Sequence, residues 1–301
     1  MSTLFEPLKQ KQSTQAKTIE PIFSYWQDAW HRLKKNRLAL TGLILLSFLI
    51  IMSLIGPYLS GYAYFETHLP LKNLPPCKQF WFGTDELGRD MFTRIWWGAR
   101  ISLFIGLTAA LIDMVIGVIY GATAAYLGGK WDEIMMRIAD IFHALPKLLI
   151  IIMLIVVMKQ GLFTIIVALA IAGWITMARI VRTQIHQIAR MDYVLAAKAM
   201  GASNWRIISL YLIPNAMGSI ITTVTLTVPA AIFTEAFLSF LGLGVQAPIA
   251  SWGTMASDGL SAMRYYPWRL FLPAAFISIT MLAFNLLGDG LRDALDPRLK
   301  K

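Results

Sequence analysis

DYVLAAKAMGASNWRIISLYLIPN, Asp192 to Asn215, is a polar, charged insertion between two long apolar runs. Asp192 can cap a helix, because its carboxylate can take the orphan backbone N–H groups of a first turn. Tyr193 to Met200 supplies about two turns of good helix formers, with Ala196, Ala197 and Ala199 among them. Gly201 then sits where a helix stops, since glycine enters the left-handed cap conformation at little cost. Ala202 and Ser203 follow, and Ser203 can cap a second helix that carries Trp205. Pro214 can occupy the first turn of a third helix. The stretch predicts helix, sharp turn, helix, then a new membrane crossing. A small-residue helix at such a turn can lie close against another protein.

Composition places that stretch in a membrane protein. The 301 residues are 57% hydrophobic and only 15% charged, which is too apolar for a soluble domain. The net charge of +10 is spread between apolar runs rather than held in one block, so it reads as a topology signal and not as a nucleic-acid site. A single cysteine, Cys77, allows neither an internal disulfide nor a zinc cluster. No cleavable signal peptide is expected, since the first apolar run starts near Leu38 after a long polar lead.

Six crossings are expected: Leu38–Leu59, Ile101–Leu127, a third whose most apolar part is Leu148–Met158, Leu162–Ile180, Met217–Leu241 and Leu270–Leu287. Residues 1–37 form an N-terminal tail. Its first 21 residues look flexible, and Phe23, Trp26, Trp30 and Leu33 fall on one face of a helix lying in the headgroup layer or simply flanking the first span. Residues 38–301 form the membrane domain, with an outer loop at 60–98, a cytoplasmic loop at 181–214 and a polar tail after the last span. Nineteen Lys and Arg fall on the side of the termini and eight on the other, so both termini and the Asp192 loop are expected in the cytoplasm.

Catalytic signatures are missing from this sequence. Leu127-Gly128-Gly129-Lys130-Trp131 lacks the spaced glycine and the Ser or Thr of a phosphate-binding loop, so the chain is not expected to hydrolyse ATP. His31, His68, His143 and His186 are scattered. In FGTDELGRDMFTRIWWGARISL, Thr84 or Asp85 can cap a helix, Asp90 and Arg94 can pair at i,i+4, and Leu87, Met91 and Ile95 make an apolar stripe. Asp113, Lys147 and Glu235 are ionisable residues within spans; they line a substrate path or make structural contacts. Trp252, Tyr265, Tyr266 and Trp268 fit an interfacial aromatic belt.

The Asp192 loop resembles the cytoplasmic loop of binding-protein-dependent ABC importer permeases, whose motif is Glu-Ala-Ala, three residues, Gly, nine residues, Ile-x-Leu-Pro. Ala196, Ala197, Gly201 and Pro214 hold the matching places, while Leu195, Tyr211 and Ile213 replace the usual Glu, Ile and Leu. Gly83, Thr84, Asp85, Gly88, Arg89, Asp90, Gly98, Ala99 and Arg100 resemble the signature of the C-type permease of oligopeptide, dipeptide and nickel importers. The stretches from Glu235 to Gly259 and from Asn285 to Arg298 resemble the same subunit, with Ser251-Trp252-Gly253 and Tyr266-Pro267-Trp268 nearest its oligopeptide form. The resemblance implies an all-α, six-span type I importer permease in the inner membrane. It implies a homologous second permease, two cytoplasmic ATPases that use ATP and Mg, and an extracytoplasmic peptide-binding protein. It places ATPase coupling at Ala196–Gly201 and needs no cofactor or metal on this chain. The rival readings are an ion-driven secondary transporter, which would show inverted repeats with broken, charged helices, and an assembly or anchor protein without a path.

Overall fold

The computed structural model describes residues 25–295. Residues 1–21 of the expected flexible tail, the Phe23 position and residues 296–301 lie outside the described residues. Within them every regular element is helical, apart from one isolated antiparallel bridge between Thr84 and Asp90.

Helix α1 (Tyr25–Lys35) leads to α2 (Arg37–Ile55) across Asn36, whose side chain accepts hydrogen bonds from the N–H groups of Leu38 and Ala39 at 3.1 and 3.2 Å. The expected apolar stripe of α1 is divided. Ala29 and Leu33 turn inward, Leu33 packing with Ala39 and Ala294, while Trp26 and Trp30 stay exposed. Helix α3 (Met91–Leu127) has 37 residues and starts ten residues before the expected span, because Asp90 caps it. At 1.5 Å per residue it is about 55 Å long, more than a bilayer core requires.

Helices α4 (Gly129–Ala144) and α5 (Lys147–Met158) form a pair bent by 80°. The bend falls at Leu145 and Pro146. Proline disfavours helical geometry in the residue before it, and Leu145 is extended at φ −75°, ψ 136°. This bent pair stands where the third crossing is expected, as a broken span or a re-entrant loop, and Lys147 opens α5 at the bend rather than lying a turn inside a straight span.

Helix α6 (Leu162–Ile188) runs eight residues beyond its expected end. After α7 (Asp192–Ala199) and α8 (Asn204–Ile207), a π turn over Ile208–Leu212 continues into α9 (Ile213–Phe240). The expected second and third helices are thus one rod, Asn204–Phe240. The wide turn lies just before Pro214, whose ring would press on the Leu210 carbonyl in a regular α turn. Helix α10 (Trp252–Leu260) precedes α11 (Trp268–Leu295), which stays helical through the expected polar tail as far as Leu295. Among the described residues, five helices are long and apolar enough to span a membrane, and the count is six if the bent pair is one span.

One end of the bundle gathers α1, the start of α2, the ends of α3 and α11, and the α7–α8 turn. Tyr126 near the end of α3 hydrogen-bonds to Asn204 at the start of α8 at 2.7 Å. The other end carries residues 56–90 and α10. There Arg100 of α3 donates to the Ser53 and Leu54 carbonyls at the end of α2, at 2.5 and 2.6 Å.

The α3–α6 contact is the most extensive helix pair, and small residues make it close. A Cβ at Gly121 would fall 2.3 Å from the Ala178 carbonyl oxygen, and one at Gly117 would fall 2.6 Å from Met177 Cβ. Gly121→Val should therefore destabilise the bundle by about 2–3 kcal/mol through overpacking against backbone. Gly161→Val is the control, since nothing lies within 4 Å of that position and its φ of 170° suits any residue. Thermal unfolding midpoints of the purified complex should fall for the first variant and hold for the second.

Candidate functional site

Two features of the chain can do work: the prong at α7–α8 and a cavity between α3, α5, α6 and α9. The prong starts at Met191, which occupies the N-cap position without a side-chain bond; Asp192 is the first helical residue and not the cap expected from sequence. Gly201 ends α7 at φ +84°. Its N–H donates to Lys198 O at 3.0 Å, and the Ala202 N–H donates to Ala197 O at 3.1 Å. This paired arrangement closes a helix only when its first outside residue is left-handed. Ser203 then caps α8 by accepting from the Arg206 N–H at 3.4 Å.

Burial divides the prong into an inner and an outer face. Val194, Ile207 and Leu212 pack into a cluster with Met177, Val181, Ile185 and Ile188 of α6, and Ala197 is also buried. That cluster fixes the prong to the membrane helices. Outward face Tyr193, Leu195, Ala196, Met200 and Trp205, with Met200 80% and Trp205 77% exposed. The Cβ position of Gly201 meets nothing within 4 Å. Burial of the phenol raises the Tyr193 pKa. The prong is an outward-facing knob anchored to α6 and continuous with α9, with large apolar side chains exposed beside Asp192, Lys198 and Arg206.

The cavity has a volume of about 630 Å³. Its walls are mostly apolar, with Leu148 and Ile151 of α5, Leu169 of α6 and Phe233 and Phe237 of α9. Asp113 of α3 is its one acidic lining residue and Lys147 of α5 its one cation. Thr176, Thr223, Thr227 and Thr234 add hydroxyl groups. Asp113 is only 4% exposed, and its Oδ1 has no hydrogen-bond partner.

Glu235 is not in this cavity. It is fully buried and is held by Ser239 Oγ at 2.8 Å and Ser102 Oγ at 3.3 Å, next to the start of α10, where Ser102 Oγ also accepts from the Trp252 N–H. Asp113 and Lys147 thus share the cavity, and Glu235 lies apart from it with hydroxyl partners.

Comparison with known proteins decides the family. Residues 113–301 match the family described as "Binding-protein-dependent transport system inner membrane component", and residues 24–76 match the "N-terminal TM domain of oligopeptide transport permease C". The chain belongs to this permease family.

Among the permease's relatives, the oligopeptide transport system permease protein OppC of Bacillus subtilis (strain 168) is 57% identical over 99% of this chain and 98% of its own length. The dipeptide transport system permease protein DppC of the same organism is 59% identical over 98% of this chain and 92% of its own. OppC of Escherichia coli (strain K12) is 42% identical over 91% and 92%. In fold, the permease resembles the inward-facing MetNI methionine ABC transporter, with a TM-score of 0.58 at 19% identity, covering 68% of this chain and 98% of that one. It is a multi-pass membrane subunit with the type I importer fold.

The outer signature has a structural role in the permease that the sequence alone did not disclose. Residues 84–90 are not helical, so the apolar stripe of Leu87, Met91 and Ile95 is not a surface helix. Asp90, rather than Thr84 or Asp85, caps the long α3 by accepting from the Phe92 and Thr93 N–H groups. Asp85 folds the loop onto itself, accepting from the Leu87 and Arg89 N–H groups at 2.9 Å each and from Arg89 Nε at 2.6 Å. Arg94 pairs with Asp85 at 3.4 Å and not with Asp90. Thr84 bridges Leu71 and Leu74. Gly83 and Gly88 have positive φ, and a Cβ at Gly88 would collide with the His68 carbonyl. Arg269 of α11 reaches Glu86 and Asn73, binding this loop to the last span. On α10, burial raises the Asp258 pKa, against the opposing pull of Arg94 and Arg89.

Trp252 is also corrected. It is fully buried, donating Nε1–H to the Ile95 carbonyl at 2.9 Å, and is not part of an interfacial belt. The sequence reading missed several contacts. Asp132 on α4 holds Arg182 through two 2.6 Å bonds and His186 at 3.1 Å, clasping the bent pair to α6. Gly173 faces Asp113, and the α9 threonines were also passed over. Thr223, Thr227 and Thr234 recur at helical spacing in an otherwise apolar span, a signal that periodicity could have found.

Proposed function

We propose that this permease is one half of an ATP-driven importer that carries peptides, most fittingly oligopeptides, across the cytoplasmic membrane. It pairs with a homologous permease, receives substrate from an extracytoplasmic peptide-binding protein, and draws force from two cytoplasmic ATPase subunits that use ATP and Mg. Both termini lie in the cytoplasm, as the excess of Lys and Arg on that side favours. This chain performs no hydrolysis of its own. The cavity lined by Asp113 and Lys147 is its share of the peptide path.

The observation that carries this reading is the prong. Its inner face is packed into the α6 and α9 cluster, and its outer face presents Tyr193, Leu195, Met200 and Trp205 exposed among the described residues. ATPase closure would push on that knob, and the continuous helix from Asn204 to Phe240 would carry the push into the membrane. A ligand shifts such an equilibrium only through unequal affinity for its two states, so the binding protein must favour the outward-facing one.

Cysteines placed at Met200 and Trp205 in a Cys77→Ser chain test the contact. Both should crosslink to an ATPase subunit in the assembled complex. Absence of any crosslink from either position in a complex that hydrolyses ATP would overturn the assignment. Dipeptides are the second reading, favoured by the 59% identity to the Bacillus subtilis dipeptide permease. Competition between dipeptides and pentapeptides for uptake into proteoliposomes separates the two.

A further inference from the structure

Asp113 is a buried carboxylate without a partner for Oδ1, in the wall of a membrane cavity. A structural acid in that position would be expected to resemble Glu235, whose two oxygens are both held by serine hydroxyls. Lys147 in the same cavity attracts Asp113 electrostatically but makes no hydrogen bond to Oδ1, and an intramembrane acid left without that bond marks a site that a ligand can complete. The seat is built for the carboxylate. A Cβ at Gly173 on α6 would lie 1.9 Å from Asp113 Oδ2, so only glycine there lets the group rest against the helix.

The three α9 threonines of the lining have the same sign of hydrogen bonding. Thr223, Thr227 and Thr234 donate their hydroxyl protons to the carbonyls of Ser219, Thr223 and Ala230, four residues back on α9, at 2.7 to 2.8 Å. Their lone pairs are what remains for a ligand, and those are acceptors. A carboxylate and several acceptor oxygens in an apolar cavity suit a primary ammonium group, which has three donors and no acceptor. Lys147 supplies a cation at the α5 end of the same cavity. Opposite charges at separate points suit a ligand charged at both ends.

We propose that Asp113, seated against Gly173, takes the α-ammonium group of the transported peptide while the peptide occupies this cavity, with Lys147 facing its carboxylate end. This rests on the reading of the cavity as the peptide path. Asp113 is then a recognition residue of the pore itself, and transport discriminates free from blocked amino termini a second time, after the binding protein.

The test uses the purified complex without its binding protein, in a Cys77→Ser background, because Cys77 is exposed and would react. A cysteine at Thr227 reports occupancy by its rate of maleimide labelling, read on this chain alone. Trialanine should slow labelling, and Nα-acetyl-trialanine should need about tenfold or more higher concentration for the same protection, the ratio expected for one charge-assisted hydrogen bond. Asp113→Asn should raise the half-protecting concentration of trialanine to that of the acetylated peptide and leave the latter unchanged. Gly173→Ala keeps the carboxylate but displaces it, and should shift trialanine the same way.

If trialanine gives no protection, the path reading fails and this inference with it. If both peptides protect equally, the path stands and the role of Asp113 is overturned. Equal protection by Nα-acetyl-Ala-Lys-Ala and trialanine would likewise overturn it, by showing that any ammonium suffices.

Discussion

Gly201→Asp should abolish peptide uptake and transport-coupled ATP turnover, lowering both by more than about tenfold, while the amount of chain inserted in the membrane stays unchanged. The expectation follows from two properties of this position. Gly201 has φ +84°, where a side chain costs about 1 kcal/mol, and Asp tolerates this region better than most residues. Nothing lies within 4 Å of its Cβ position, so no internal clash adds to that. The chain itself is therefore little disturbed. The damage falls on whatever covers the outer face, where a carboxylate next to the exposed Met200 would be desolvated on contact with a partner. Gly201→Asn, which also tolerates the left-handed region but adds no charge, should keep a substantial share of activity. Uptake and stimulated ATP turnover by the Asp variant at wild-type rates would show that the prong does not transmit force.

Asp85→Ala should cause the largest loss of stability. Asp85 accepts from Arg89 Nε at 2.6 Å and forms an ion pair with Arg94 Nε at 3.4 Å, and all three side chains are at most 10% exposed. Removing it strands buried guanidinium charge, which costs about 3–5 kcal/mol in comparable pairs. Arg89 retains a weaker contact with Glu86 at 3.5 Å, so the lower end of that range is expected. The loop also loses its acceptor for the Leu87 and Arg89 N–H groups. The complex should unfold at a clearly lower temperature in detergent, and less of it should accumulate in the membrane. Asp85→Asn should be milder, because the amide oxygen can still accept from the two backbone groups. A shift for Asp85→Ala within the roughly 0.5 kcal/mol of an ordinary surface substitution would mean that the loop is not the clamp on α3 described above.

The prong was legible in advance because its signals are local. Gly201 in a left-handed cap and Ser203 as a cap depend on residues within one turn, and the structure has both. The misassignment of Asp192 is of the same local kind: Met191 is extended at ψ 143° and takes the cap place by backbone alone. The outer loop was misread because its pairing depends on a chain reversal. Asp90 and Arg94 have the spacing of a helical pair, but the helix begins after Asp90, and the bend at Gly88 brings Asp85 to Arg94 instead. Asp113, Lys147 and Glu235 looked alike as lone charges in apolar spans. Only their surroundings in the fold separate them: the hydroxyls of Ser239 and Ser102 on Glu235, and open volume beside Asp113 and Lys147.

The amino-acid order by itself determined the approximate place of the five long apolar helices, the glycine-closed knob between α6 and α9, and the family, since each is written in composition, periodicity or a short contiguous motif. Tertiary structure alone decided the 80° bend between α4 and α5, the clamp of Asp85 on Arg94, and which intramembrane acid is tied down and which faces a cavity. Those outcomes depend on groups far apart in the chain meeting in a medium without water, where an ionised or polar side chain is settled by the partners packing brings to it and not by its sequence neighbours.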